Sequence, residues 1–256
     1  MFFRILLSTM LIFSGCDYPV NSGFVTGAAG SAGKHTAVER DTEGNMLGYY
    51  EYLPRFFLPD SGALYPLVFY WNGKNAISGN GRSDLNGLLH QGLPEYINKG
   101  KHYPAVIISA QMKYADWETI NVHPFVDYIL KRYKQNIDIN RIYMTGFSAG
   151  GGLTMRYADS NPDVLAAIVP VSPAVRYPDD NDPSNALKNV KSWIFHNKGD
   201  DVVKSARSIR WYQVLNDGSD KHRLTIYTKE GHYAWYQVYD DPNMWNWLLA
   251  QNKNIK

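Results

Sequence analysis

The sequence predicts an α/β fold, a doubly wound and mostly parallel sheet with helices on both faces. Short apolar runs, of the kind found in strands buried on both faces, alternate with segments whose apolar residues recur at helical spacing. Alternation of this kind favours parallel strands joined by right-handed crossovers. The chain has 256 residues, 45% of them hydrophobic and 20% charged, which is the make-up of one globular domain with a full-sized core.

Seven segments carry the strand pattern. The run at 66–72, Pro-Leu-Val-Phe-Tyr-Trp-Asn, is nearly all apolar, as expected of a central strand. The others are 47–53, 105–109, 141–145, 166–171, 192–196 and 224–228. Because functional loops gather at the carboxyl ends of parallel strands, we expect the chemistry to follow these runs rather than precede them.

Two helices are predicted, one from its apolar face and one from its N-terminal cap. Phe125, Ile129 and Tyr133 recur every four residues and give an amphipathic helix. Asp241 and Pro242 begin the last helix, since an acidic cap followed by proline suits a first turn. No segment is long enough to build a large lid domain.

The amino terminus predicts a signal peptide over residues 1–15. Arg4 precedes an apolar run at 5–13, and about nine residues are too few to span about 30 Å of hydrocarbon. Residues 13–16, Phe-Ser-Gly-Cys, resemble the lipobox of bacterial lipoproteins, with Phe13 in place of the usual Leu. An ordinary signal peptide that ends near a cysteine is the alternative.

Cys16 is the only cysteine of the chain, so its thiol has no intramolecular partner. The sequence therefore predicts lipidation of Cys16, a flexible tether over 16–37 and a folded domain over 38–256. This arrangement implies an exported protein of the cell envelope, anchored to a membrane and facing the periplasm or the cell surface.

Charge excludes one class of partner. Lysine and arginine number 26 against 24 acidic residues, and a net charge of +2 predicts no nucleic-acid binding. An acidic stretch at 179–182 is typical of a solvated turn, so no metal site is predicted there.

The most informative motif is G-x-S-x-G at 146–150, which follows a predicted strand and precedes a helical run at 151–158. In this context Ser148 sits on a sharp turn that only flanking glycines permit. The turn exposes the serine hydroxyl above the sheet, beside the backbone amides of a helix N-terminus. We therefore predict Ser148 as a nucleophile.

A nucleophilic serine needs a base, and seven histidines compete. Four precede Ser148, against the order serine, acid, histidine that accompanies this motif in α/β-hydrolases. His222 lies at the amino end of the strand 224–228, whereas His232 follows its carboxyl end. His232 is the predicted base, and His196 is interpreted as a packed, hydrogen-bonded residue.

The orienting acid is expected just after the strand 192–196. Asp200 and Asp201 both stand there. Asp200 is the predicted third member of the triad, with Asp201 facing solvent or capping the helix that begins near Ser205.

Taken together, several segments resemble the α/β-hydrolase superfamily, and within it the branch of polyhydroxybutyrate-depolymerase-like and feruloyl-esterase-like carboxylesterases. The resemblance covers roughly residues 49–251, and implies that 38–256 form a serine ester hydrolase that needs no cofactor. It rests on the segments 52–54, 65–68, 146–150, 171–173, 195–200, 231–232 and 247–251.

The resemblance also implies an oxyanion hole made by the backbone N–H groups of Ala149 and Lys74. In this branch, the loop that follows the strand corresponding to 66–72 usually carries His-Gly. This chain reads Asn72-Gly73-Lys74 there. Asn197 likewise stands where glycine is usual. Relatives with a cysteine nucleophile are excluded because Cys16 lies outside the domain.

The expected activity is hydrolysis of short-chain or aromatic carboxylic esters through an acyl-enzyme, with specificity set by the loops 74–91, 111–119 and 174–189. Tyr114, Trp117 and Trp235 are candidate substrate-binding residues, or else aromatics that pack loops onto the sheet. A feruloyl, acetyl-xylan or polyhydroxyalkanoate esterase is the second interpretation. A non-catalytic binding lipoprotein on the same fold is the rival of another class.

Overall fold

The computed structural model describes residues 33–39, 47–74, 82–112, 120–176 and 186–253. Within them one sheet of eight strands runs through the molecule. The strands are β1 (His35–Val38), β2 (Tyr49–Tyr52), β3 (Tyr65–Trp71), β4 (Val106–Ala110), β5 (Ile137–Phe147), β6 (Ala167–Val171), β7 (Lys191–Gly199) and β8 (His222–Glu230).

The strands lie in the order β1-β2-β4-β3-β5-β6-β7-β8. β1 and β2 pair antiparallel, and β2 is antiparallel to β4, whereas every pair from β4 to β8 is parallel. The prediction of a mostly parallel sheet is confirmed. All carboxyl ends from β3 to β8 therefore meet at one edge, here called the carboxyl edge, and the opposite one is the amino edge.

Helices cover both faces of the sheet. They are α1 (Arg82–Leu85), α2 (Gly92–Asn98), α3 (His123–Arg132), α4 (Ala149–Ser160), α5 (Ala206–Leu215), α6 (Trp235–Val238) and α7 (Pro242–Ala250). The Asp241 carboxylate accepts a hydrogen bond from Asn243 N at 2.8 Å, so the predicted cap of the last helix is confirmed.

Two apolar cores result from the alternation of side chains along each strand. In β3, Phe69 and Trp71 pack on one face with residues of α3, α4 and α5. Val68 and Tyr70 point to the other face, toward α2, α6 and α7. This arrangement of two buried layers is what makes the central strands apolar at every position.

The structure corrects one boundary. Residues 35–37, which the sequence assigns to the tether, belong to β1 and pair with β2. Gly33 is also attached, since its N–H donates to the Leu53 carbonyl at 2.8 Å. Cys16, the signal peptide, Tyr114, Trp117 and the acidic stretch 179–182 lie outside the described residues.

The described residues bear on membrane spanning and metal binding. Among the described residues, no helix combines the length and hydropathy that crossing a bilayer requires. The same part of the chain holds no group of three or more histidine, cysteine, aspartate or glutamate side chains placed to share a metal ion.

Candidate active site

Ser148 lies on a strained turn between β5 and α4. Its φ is 57° and its ψ is −115°, a conformation that a residue with a side chain rarely adopts. Backbone bonds hold the turn from both sides. Ser148 N donates to the Val171 carbonyl at 2.9 Å, and its own carbonyl accepts from Gly152 N at 3.0 Å and Ala174 N at 2.9 Å.

The flanking glycines are required by close packing. A Cβ on Gly146 would lie 2.4 Å from the Gly150 carbonyl oxygen, and one on Gly150 would lie 2.1 Å from the Trp71 carbonyl oxygen. Neither distance is tolerable for real atoms. The motif is therefore dictated by the approach of α4 to the ends of β3 and β5.

The structure brings the three predicted catalytic side chains together at the carboxyl edge. Ser148 Oγ lies 2.8 Å from His232 Nε2, and His232 Nδ1 lies 2.7 Å from Asp200 Oδ2. All three residues are buried, with exposed fractions of 7%, 8% and 2% for Ser148, His232 and Asp200. A hydroxyl with a base in contact and an acid behind that base is the arrangement of a serine nucleophile.

The Asp200 carboxylate is kept ionised by its hydrogen bonds. Its second oxygen accepts from Val202 N at 2.9 Å and Val203 N at 2.8 Å. Burial by itself would raise the pKa of Asp200, but hydrogen bonds from His196, His232 and the Val203 amide outweigh it and hold that pKa well below its usual range. Asp201, next in the chain, is exposed.

A second histidine contacts the same carboxylate oxygen. His196 Nε2 lies 3.1 Å from Asp200 Oδ2 and 2.8 Å from the Val203 carbonyl. Both are acceptors, so Nε2 carries the proton. In the neutral ring Nδ1 then accepts from the Ser208 hydroxyl, 2.7 Å away. His196 is fully buried, which confirms that it is a packed, hydrogen-bonded residue and adds a contact with Asp200 that sequence patterns did not reveal.

Asn197 links the acid loop to the histidine loop. Its Nδ2 donates to the Gly231 carbonyl at 2.9 Å, and Gly231 N donates to the Gly199 carbonyl at 3.0 Å. Gly231 has a φ of 78°, which places the turn before His232 in a region that favours glycine. The asparagine that departs from the family pattern thus ties together the two loops that carry Asp200 and His232.

Asn72 organises the loop after β3. Its Oδ1 accepts from Met112 N at 2.8 Å, and its Nδ2 donates to the Gly73 carbonyl at 2.9 Å. Gly73 N in turn donates to Gln91 Oε1 at 2.8 Å. The loop is therefore fixed by side-chain bonds on both sides.

The two predicted oxyanion donors lie in neighbouring segments. Ala149 is the first residue of α4, where a backbone N–H has no partner within the helix. Lys74 follows Gly73, whose Cβ position would lie 2.8 Å from the Phe147 ring. Both amides thus belong to segments that pack directly beside Ser148.

Trp235 is not an exposed binding residue. Its ring is 2% exposed and packs against Phe147, Tyr96 and Tyr236 in the core beneath α6. The alternative interpretation, packing of a loop onto the sheet, describes this residue. The exposed aromatics here are Tyr233, at 48%, and Tyr236, at 51%, whose rings contact each other edge to face.

Tyr233 lies beside His232, the predicted base. Its ring centroid is 6.2 Å from that of His232 and 6.1 Å from that of Phe147.

His222 lies at the opposite end of β8 from His232. It begins β8 at the amino edge, as the sequence predicts, and its ring lies 2.9 Å from the Ser192 hydroxyl.

A strained serine turn before a helix, with histidine and aspartate in contact across the carboxyl edge of this sheet, defines a serine hydrolase of the α/β-hydrolase fold. The phospholipase/carboxylesterase family model matches residues 109–242, slightly more than half of the chain. The chain belongs to that family. No curated protein matches it at a significant level.

Solved structures share the fold. A thermostable esterase is 24% identical with a TM-score of 0.64 over 87% of this chain, which spans only 64% of that protein's length. A variant of the feruloyl esterase module from Clostridium thermocellum, complexed with sinapinate, is 15% identical with a TM-score of 0.60, covering 86% of this chain and 89% of the module. A substrate-bound, fluorophosphonate-binding serine hydrolase from Staphylococcus aureus is 13% identical with a TM-score of 0.57, covering 85% and 100%.

Proposed function

We propose that this protein hydrolyses short-chain or aromatic carboxylic esters through an acyl-enzyme on Ser148. The observation that carries the proposal is the unbroken chain of contacts from Ser148 Oγ to His232 at 2.8 Å and from His232 to Asp200 at 2.7 Å. Membership of the phospholipase/carboxylesterase family supports an ester bond as the target.

In the first half-reaction Ser148 Oγ attacks the ester carbonyl carbon while His232 Nε2 takes the hydroxyl proton. The imidazolium is stabilised by the ionised Asp200, which also fixes the ring tautomer through Nδ1. The tetrahedral intermediate collapses as His232 returns the proton to the leaving alkoxy oxygen, and the alcohol departs. Water then attacks the acyl-enzyme with His232 as base and releases the acid.

The developing oxyanion is assigned to the backbone N–H groups of Ala149 and Lys74. Donors fixed in advance are worth about 3–4 kcal/mol each to a transition state of this type. The bonds that Asn72 and Gln91 make to the preceding loop support such preorganisation. The two asparagines that depart from the family pattern therefore have structural roles, and they do not favour a non-catalytic binding protein.

The narrower, second candidate is a feruloyl esterase, which would act on the feruloyl esters of a polymer. Tyr233 and Tyr236 favour it, because their exposed rings contact each other and the Tyr233 ring lies beside His232. Aromatic faces of this kind stack well on phenolic or sugar rings. One structural neighbour is a feruloyl esterase module complexed with sinapinate.

The test is turnover of acetyl, butyryl, octanoyl and feruloyl esters by the wild type and by Ser148→Ala. We expect turnover to fall with chain length and the variant to lose a factor of about 10⁵ or more in kcat. Ser160→Ala, an exposed serine at the end of the same helix, is the matched control. Turnover and fluorophosphonate labelling that persist in Ser148→Ala would refute the mechanism.

A lipid anchor on Cys16 and an exported location remain part of the proposal. The lipobox-like residues 13–16 support it. Cells fed a labelled fatty acid should label the wild-type chain and leave Cys16→Ser unlabelled. Equal labelling of the two chains would exclude Cys16 as the acceptor.

A further inference from the structure

A second concave site lies at the amino edge of the sheet, away from the triad. It is a cavity of about 480 Å³. Tyr65, which begins β3, and Pro104, which precedes β4, form part of its wall. The catalytic residues follow the carboxyl ends of the strands, so the cavity and the triad lie at opposite edges.

Apolar side chains protrude around this cavity. Phe56, Leu58 and Leu64 all line it and are 67%, 48% and 56% exposed. Three large apolar residues exposed together in one short segment are uncommon on a soluble surface and mark an interaction site. The same segment, 53–64, joins β2 to β3, and none of the hydrogen bonds of Ser148, Asp200 or His232 given above involves it.

The rim of the cavity is basic. Arg55, Arg141 and His102 line it, and no acidic side chain belongs to the described lining. Asp60 is exposed on the same segment but lies outside the lining. Burial, and after it the nearby Arg55 charge, lowers the pKa of His102, so the positive charge of this rim comes from the two arginines. Protruding apolar groups with arginines at their base suit an anionic lipid surface.

The chain that leads from Cys16 enters the described structure beside this cavity. A Cβ placed on Gly33 would lie 3.0 Å from Arg55 Cγ and 3.3 Å from the His102 ring. Residues 17–32 separate Gly33 from Cys16, and a chain of that length reaches at most about 60 Å. A bilayer that holds Cys16 is therefore joined to the domain at this side.

We propose that Arg55, Phe56, Leu58 and Leu64, here called the amino-edge patch, contact an anionic lipid bilayer and turn the carboxyl edge toward water. The apolar side chains enter the headgroup region, and Arg55 pairs with lipid phosphate. The proposal does not depend on the reaction catalysed, since it concerns the opposite edge of the sheet.

The first experiment measures cosedimentation with vesicles of phosphatidylcholine alone or mixed with phosphatidylglycerol. The full chain carries Cys16→Ser, so that acylation contributes nothing. We expect Phe56→Ser/Leu58→Ser/Leu64→Ser to bind mixed vesicles at least tenfold more weakly than its parent. Val202→Ser/Ile209→Ser/Tyr236→Ser removes apolar groups that are 67%, 38% and 51% exposed elsewhere, and it should bind like the parent.

Three readouts keep the result interpretable. Arg55→Gln should weaken binding only to vesicles that contain phosphatidylglycerol. The patch variant should keep the parent's ester turnover and melting temperature, which excludes misfolding as the cause of lost binding. Equal vesicle binding by the patch variant and the control variant would overturn the proposal, as would a patch-dependent dimer in sedimentation without any difference on vesicles.

The second experiment tests orientation. Because Cys16 is the only natural cysteine, Cys16→Ser permits single labelling sites at Leu64→Cys and Val202→Cys. A quencher carried by the lipid should quench a fluorophore at position 64 several-fold more than one at position 202. Equal quenching, or stronger quenching at 202, would contradict the proposed orientation.

Discussion

The two edges of the sheet differ in which side chains they bury and which they expose to solvent. At the carboxyl edge Ser148, His196, Asp200 and His232 are buried, and each has hydrogen-bond partners. At the amino edge Phe56, Leu58 and Leu64 stand exposed around a cavity. One edge buries polar groups at a cost that only complete hydrogen bonding offsets, whereas the other leaves apolar groups in water.

This contrast follows from strand direction. Parallel strands bring the loops that precede helix N-termini to the carboxyl edge, where backbone amides and side-chain acceptors can be arranged around a reacting group. The amino edge receives the loops that enter strands, and these do not lead into helix N-termini. The two proposals thus place ester hydrolysis and lipid contact at opposite edges of one domain.

The largest effect is expected from Asp200→Asn at the carboxyl edge. The amide cannot hold His232 in the tautomer that accepts the serine proton, so kcat should fall by a factor of about 10⁴. Asp201→Asn, a change at the exposed neighbour, should keep kcat within about twofold. Steady-state kinetics on a butyryl ester would check both. Equal losses in the two variants would mean that the acid has been misassigned.

Trp235→Ala should destabilise the fold by about 3–5 kcal/mol, because a large buried ring leaves a cavity between α6 and the sheet. Tyr233→Ala removes an exposed ring and should cost less than about 1 kcal/mol. Tyr233→Ala should instead raise the KM for feruloyl esters more than the KM for acetyl esters. Urea unfolding and kinetics on both esters separate the roles, and a KM effect of Trp235→Ala without destabilisation would restore Trp235 as a binding residue.

His196 and His222 form a matched pair, one at each edge. Both are buried, and both bond a serine hydroxyl, at 2.7 Å and 2.9 Å. Of the two, only His196 contacts the Asp200 carboxylate. His196→Gln should lower kcat about tenfold with KM unchanged, as partners behind a reacting group commonly do.

The pH profile distinguishes positioning from packing in this pair. His196→Gln removes a donor to Asp200 and should move the acid limb of kcat, whereas His222→Gln should lower the melting temperature and leave that limb in place. If His222→Gln lowered kcat as much as His196→Gln, loss of packing alone would account for both.

The smallest effect concerns acid stability. Burial lowers the pKa of His35 from 6.5 to about 3, and neither ring nitrogen has a partner among the described residues. The unfolded chain therefore binds this proton first as pH falls below 6.5, and folding should lose about 1 kcal/mol between pH 7 and pH 5.5. His35→Phe should flatten that loss in urea unfolding, and His90→Phe, at an exposed position, should not.

Local patterns were sufficient to predict much of this architecture. The seven apolar runs coincide with β2 to β8, and the serine motif, the chain order and the strand ends together indicated the triad that the structure brings into contact. β1 was missed because its four residues, His-Thr-Ala-Val, follow a glycine-rich stretch and carry no strong alternation. Each success rests on a feature that is periodic or that lies within a few residues.

Features built from distant segments were not predictable. Trp235 looked like a loop residue because α6 spans only four residues, too few to show which face turns inward. The contact of His196 with Asp200 depends on the curl of the acid loop, and the amino-edge cavity joins residues near 55, 102 and 141. Sequence spacing carries no information on contacts between residues that are distant in the chain.

The backbone of Ser148 also records a trade-off under natural selection. A positive φ of 57° costs a residue with a side chain of the order of 1–3 kcal/mol, which the surrounding bonds must offset. Glycine at position 148 would relax that turn and give a more stable variant that lacks the proposed nucleophile. Under the proposed mechanism, serine at this position therefore exchanges a small part of the folding free energy for catalysis.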